Sequence, residues 1–123
     1  MSEFGEGFLL EAASMDYFVE HYAADSSDWR ANPSLKDAAG LPPAVLITAG
    51  LDPLRDQGRA YAGKLIDAGV PTVYREAKGN IHGFANLRKG VPSSQADIAG
   101  CLTALKALIV EAEGERVMEQ AAE

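Results

Sequence analysis

Residues 42–56 read PPAVLITAGLDPLRD, and residues 72–84 read TVYREAKGNIHGF. The apolar and β-branched runs at 44–49 and 72–77 are typical of short strands. Between them, apolar residues recur at helical spacing and predict a helix over residues 55–68. Two short strands joined by one helix lie parallel with a right-handed crossover, so their carboxyl ends meet at one edge of the sheet.

An acid and a base follow these two strands. Asp52 comes directly after the first strand region, and His82 comes after the second. Ligands bind at the carboxyl edge of open α/β sheets, so the sequence predicts a candidate site that contains Asp52 and His82. Gly79 and Gly83 flank His82, and we expect them to allow a tight backbone path around it.

Composition limits the classes of protein that fit. The chain has 123 residues, of which 47% are hydrophobic and 24% are charged, and we interpret residues 1–123 as one domain. The net charge of −7 disfavours nucleic acid and anionic membranes as partners, because both need a basic surface. No apolar run approaches transmembrane length, and we predict a cytoplasmic location. Cys101 is the only cysteine, so no thiolate cluster is present to bind zinc or iron. The sequence also shows no motif for a cofactor, and we predict no metal and no cofactor.

Three further segments complete the predicted α/β fold. Apolar residues recur at helical intervals over 10–23, which predicts an amphipathic helix that needs a surface to lie on. Residues 25–40 are rich in Ser, Asp, Asn, Pro and Gly and should be irregular, with Trp29 and Leu35 as anchors. An apolar stripe predicts a final helix over 94–112, continued by an exposed helical tail.

Four segments carry a family resemblance. Residues 41–56, 68–71 and 82–84 resemble, in order and spacing, the carboxyl-terminal third of the hormone-sensitive-lipase-like carboxylesterases of the α/β-hydrolase superfamily. Residues 7–10 and the helix after them resemble the segment that follows the substrate-covering cap in that family. The resemblance implies a serine hydrolase acting on short-chain carboxylic esters, with Asp52 as the acid and His82 as the base of a Ser-His-Asp triad.

The chain also departs from the family pattern. It contains no Gly-x-Ser-x-Gly elbow and no His-Gly-Gly oxyanion motif. The resemblance therefore implies a partial domain without the amino-terminal sheet, the cap and the nucleophile elbow. We expect Met1 to mark the start of a fragment, of a naturally shortened protein or of one part of a two-chain enzyme.

Three functional interpretations follow from these residues. In the first, the chain is an esterase component whose Asp52 and His82 act on a small ester substrate with a serine that this chain lacks. In the second, it is a catalytically inactive, oligomerising remnant of an esterase with a structural or interaction role. In the third, Asp52 and Asp56 bind a divalent metal, although helix capping by Asp56 is the simpler interpretation.

A two-stranded parallel sheet leaves both of its outer edges unpaired. We therefore predict self-association, or a complementing chain that completes the sheet. The family resemblance implies that residues 72–77 lie at or near a sheet edge, and it suggests antiparallel pairing of this strand with its copy.

Overall fold

The computed structural model describes residues 3–122 and contains one parallel sheet of two strands. The elements, in chain order, are α1 (Ala12–Tyr22), a 3-10 turn (Pro33–Leu35), β1 (Ala44–Leu51), α2 (Arg55–Asp67), β2 (Thr72–Ile81) and α3 (Ser94–Ala122). β1 pairs with β2 in parallel, and α2 forms the crossover between them. The predicted α/β class and the parallel pairing are confirmed.

Both strands extend beyond their predicted ends because pairing resumes after an irregularity. Ala49 lies opposite Ala77, and the next pair is Leu51 with Ile81. β1 has the single residue Gly50 between these pairs, whereas β2 has residues 78–80, so β2 bulges away from regular pairing. Apolar and β-branched runs predict only the regular part of a strand. The predicted strand ends at residues 49 and 77 are therefore the last regular pair before the bulge.

The two helices that contact the strands cover opposite faces of the sheet. On one face, Leu46 of β1 packs with Leu65 of α2 and with Val70. On the other, Ala49 and Ala77 pack with Phe84, and Ile98 of α3 lies against this cluster. Successive strand side chains point to opposite faces, which accounts for the separation of the two clusters.

The amphipathic helix predicted over residues 10–23 is present as α1, but its large apolar side chains remain exposed. No residue of α1 is buried. Tyr17, Phe18 and Val19 are 56%, 55% and 69% exposed. Consecutive helical residues point about 100° apart, so these side chains lie on different faces of α1, and no other part of the described chain packs closely enough to bury any of them.

None of the helices within residues 3–122 has an apolar segment long enough to cross a membrane. α3 continues to Ala122, beyond the predicted end at residue 112, and its last part is exposed. This continuation agrees with the predicted helical tail.

Close packing between α2 and β1 requires glycine at position 58. A Cβ atom added to Gly58 would overlap the Thr48 methyl group, and the Thr48 hydroxyl is held by the Tyr74 hydroxyl at 2.7 Å. Gly63, on the same helix, has open space where a Cβ would lie.

We expect Gly58→Ala to lower the free energy of unfolding by about 1–3 kcal/mol, because relief of the overlap breaks the Thr48–Tyr74 contact or moves α2. Gly63→Ala is the matched control and should raise it by about 0.5–1 kcal/mol through better helix propensity. Urea unfolding followed by circular dichroism measures both variants. Equal stabilisation by the two substitutions would contradict this account of the packing.

Candidate active site

Asp52 is held in place by the turn that joins β1 to α2. Its Oδ1 accepts a hydrogen bond from the Leu54 N–H at 2.8 Å, and its carbonyl accepts one from the Arg55 N–H at 3.1 Å. Short acidic side chains commonly bond to the backbone two residues on, and this bond stabilises such turns. The side chain of Asp52 is only 8% exposed, so its second oxygen has a fixed direction.

His82 follows the bulged end of β2 in a turn that depends on glycine. Gly79 and Gly83 have φ values of +78° and +73°, in the left-handed region that other residues rarely adopt. The Phe84 N–H donates to the Ile81 carbonyl at 3.2 Å and closes the turn around His82. The backbone path that the sequence predicts at Gly79 and Gly83 is present.

The two side chains meet across the carboxyl ends of the strands. His82 Nδ1 lies 2.9 Å from Asp52 Oδ2. An ionised carboxylate only accepts hydrogen bonds, so the neutral imidazole carries its proton on Nδ1 and has a lone pair on Nε2. The His82 side chain is 44% exposed, whereas Asp52 is almost fully buried, so the acid orients an imidazole that solvent and ligands can reach.

An open cavity of about 550 Å³ adjoins this pair. Ile47, Leu54 and Phe84 give it an apolar wall, and Tyr61 of α2 also lines it. The 31–34 segment, which includes the start of the 3-10 turn, forms another side of the cavity. Its volume is in the range of small-molecule sites, which span roughly 300–1,000 Å³.

The neighbouring carboxylate, Asp56, has different partners from Asp52. Its Oδ1 accepts from Arg55 Nε at 2.9 Å, and Arg59 lies 3.7 Å away. The hydrogen bond from Arg55 holds the pKa of Asp56 below its usual value. Within residues 3–122, no group of three or more His, Cys, Asp or Glu side chains could hold a metal ion. The geometry therefore gives no support to a metal site shared by Asp52 and Asp56.

Two residues before His82 lies a buried polar residue, Asn80, that the sequence alone did not indicate as part of the site. Asn80 is fully buried and bonds to Ser93 and Asp97. The only sequence signal for its burial is its position as a polar residue between Gly79 and Ile81, at the end of a strand pattern. Its bonding partners lie in a different segment and appear only in the folded chain.

Comparison with known proteins identifies the family. A family model described as the α/β-hydrolase fold matches residues 1–86. The chain belongs to the α/β-hydrolase family. The carboxyl-terminal α/β-hydrolase architecture that the resemblance implies is confirmed.

Relatives of this α/β-hydrolase chain include esterases. An arylesterase from Saccharolobus solfataricus is 40% identical over 90 residues, which are 68% of this chain and 29% of that protein. The carboxylic ester hydrolase LipN of Mycobacterium tuberculosis is 39% identical over 112 residues, 87% of this chain and 30% of LipN. The chain thus spans less than a third of either relative.

A solved structure supports the same relationship. EstE1, a thermostable carboxylesterase cloned from a metagenomic library, superposes with a TM-score of 0.78 at 32% identity. The match covers 86% of this chain and 38% of EstE1. The predicted resemblance to carboxylesterases of this fold is confirmed.

We expect Asp52→Asn to change the tautomer of His82. The introduced amide can keep its oxygen on the Leu54 N–H, and its NH₂ group then faces Nδ1, so the imidazole proton moves to Nε2. The ¹⁵N shifts of both ring nitrogens, measured by NMR at a pH where the ring is neutral, report this change.

The chain's other histidine provides an internal control. His21 Nδ1 lies 2.9 Å from the Tyr17 carbonyl, and its ring stacks on Tyr17. Its ring-nitrogen shifts should stay the same in Asp52→Asn. Unchanged shifts at both histidines would mean that Asp52 does not set the His82 tautomer.

Proposed function

We propose that this chain contributes the acid and the base of a Ser-His-Asp triad that hydrolyses carboxylic esters. Asp52 is the acid and His82 is the base. The serine comes from polypeptide outside these 123 residues, since the chain contains no Gly-x-Ser-x-Gly elbow.

One observation carries the proposal. A buried carboxylate and a half-exposed imidazole lie 2.9 Å apart, each directly after a strand, in a chain whose relatives include ester hydrolases. Within residues 3–122, His82 Nε2 makes no hydrogen bond to the protein. A nitrogen with a lone pair at the rim of a cavity is suited to accept a proton from a nucleophile.

The chemistry follows from the proton positions. His82 Nε2 takes the proton of the serine hydroxyl as the serine oxygen attacks the ester carbonyl carbon. The bond to the alcohol oxygen then breaks, and the departing alcohol takes this proton from Nε2. Water repeats the sequence on the acyl-serine and releases the acid. Throughout, the Nδ1 proton stays in place and Asp52 stays ionised, which stabilises the transient imidazolium.

The cavity and the open edge of β1 indicate how substrate and serine reach His82. The apolar wall formed by Ile47, Leu54 and Phe84 is suited to the hydrocarbon part of a small ester. Among the described residues, β1 pairs only with β2, so its other edge offers backbone groups to a further strand. The polypeptide that brings the serine would pair with that edge.

A second candidate is a catalytically inactive remnant that oligomerises. The outer edge of β2 supports it, since this strand has no second partner within the described chain. Antiparallel pairing of residues 72–77 with a second copy would cover the edge. This candidate needs neither the serine nor the exposed imidazole.

Complementation tests the two candidates. The chain is co-expressed with the amino-terminal part of the S. solfataricus arylesterase that precedes its matched region, and the complex is assayed with p-nitrophenyl acetate. Hydrolysis is expected from the complex. His82→Ala should abolish it, and Asp52→Asn should lower kcat by about 10⁴-fold because the tautomer is wrong. His21→Ala is the matched control and should retain full activity.

Sedimentation of the same samples shows which assembly forms. A complex that hydrolyses the ester equally well with His82→Ala would refute the proposed base. A stable homodimer of this chain, together with an assembled but inactive complex, would favour the remnant.

A further inference from the structure

Asn80 is a fully buried polar residue near the candidate site. It is 0% exposed and lies two residues before His82, on the bulged part of β2. An amide buried without partners costs several kcal/mol in an apolar setting, so native structures bond such groups. The identity of its partners therefore indicates what this residue does.

Both ends of the Asn80 amide are bonded to the start of α3. Its Nδ2 donates to Asp97 Oδ2 at 2.8 Å, and its Oδ1 accepts from Ser93 Oγ at 2.9 Å. Ser93 immediately precedes α3, and Asp97 lies in its first turn. A carboxylate cannot donate, so the amide nitrogen must face Asp97, and only one orientation of the side chain satisfies both bonds.

The bulge leaves the end of β2 with little regular pairing to β1. Between Ala77 and Ile81 the regular pairing to β1 is interrupted, and the left-handed Gly79 lies in this interval. Beyond it, only one further pair, Leu51 with Ile81, joins the strand end to β1 before His82 begins. The side chain of Asn80 supplies a second attachment, to a helix that also packs on the sheet through Ile98.

We propose that Asn80 is a positioning residue that holds His82 opposite Asp52 by fastening the end of β2 to α3 through Ser93 and Asp97. This inference rests on the proposed function of the Asp52–His82 pair. Asn80 itself does not contact substrate. Its effect passes through the backbone of Ile81 to the imidazole.

A charge swap between Asn80 and Asp97 tests the proposal. Asn80→Asp places two carboxylates face to face, which breaks the bond to Asp97. In the double variant Asn80→Asp/Asp97→Asn, the introduced amide donates to the introduced carboxylate, which also accepts from Ser93. The pair therefore restores every hydrogen bond with the groups exchanged.

The readout is the tautomer of His82, followed by the ¹⁵N shifts of its ring nitrogens in the purified full chain. In folded Asn80→Asp we expect the His82 ¹⁵N shifts to depart from those of a ring protonated only on Nδ1. In the double variant we expect these shifts to return to the wild-type values. His21 is the internal reference and should not change. A purely structural role would lower the melting temperature yet leave the His82 shifts of the folded protein as in wild type, and that result would overturn the proposal.

A milder variant covers the case in which Asn80→Asp does not fold. Ser93→Ala removes only the bond to Oδ1, and Ser93 is exposed, so the fold should persist. We expect its His82 ring-nitrogen shifts to move in the same direction as in Asp52→Asn. Unchanged shifts in a folded Ser93→Ala protein would overturn the proposal.

The complemented enzyme separates this inference from the proposed function. A displaced base weakens proton transfer more than substrate binding, so Asn80→Asp should lower kcat by up to about 100-fold with KM retained, and the double variant should recover it. If the assembled complex does not hydrolyse the ester but Asn80→Asp still changes the His82 ring-nitrogen shifts, the triad is refuted and the positioning role of Asn80 stands. Full kcat in folded Asn80→Asp would refute the positioning role alone.

Discussion

The parallel pairing of β1 with β2 is the constraint on which the candidate site depends. Asp52 and His82 are thirty positions apart in the sequence, and the pairing brings their side chains to 2.9 Å. Neither turn is sufficient alone, since each only directs its own side chain away from a strand end. The apolar contacts of α2 and α3 on opposite faces keep the strands in register and so maintain this distance.

Burial divides the roles of the two groups. Asp52 is enclosed and bonded to the backbone of its own turn, so its remaining oxygen is committed to the imidazole. His82 is partly exposed beside the cavity and keeps one ring nitrogen directed away from the acid. A buried carboxylate needs a partner to offset the loss of hydration, and His82 provides that partner here. The same contact therefore stabilises Asp52 and orients the imidazole of His82.

The bulge in β2 combines packing and positioning. Without the bulge, regular pairing between β1 and β2 would continue to the site. The additional residues of β2 in the bulge change the direction of the strand end, and Asn80, which lies among them, is buried. Gly50 opposite the bulge permits the close approach, because a Cβ there would lie 3.0 Å from the Lys78 Cα. Backbone irregularity near the site is thus compensated by buried hydrogen bonds to α3.

The amino-acid sequence by itself determined the α/β class, the order of the elements and the placement of Asp52 and His82 after parallel strands, because apolar periodicity, turn residues and crossover geometry are local or topological properties. Tertiary structure alone decided the bulge, the network of Asn80 with Ser93 and Asp97, and the exposure of α1. Each of these depends on which distant groups meet: the register shift requires Gly50 against Lys78, and the amide bonds join residues from separate elements. Local sequence patterns carry no information about such long-range contacts, because these contacts form only when the strands and α3 pack together.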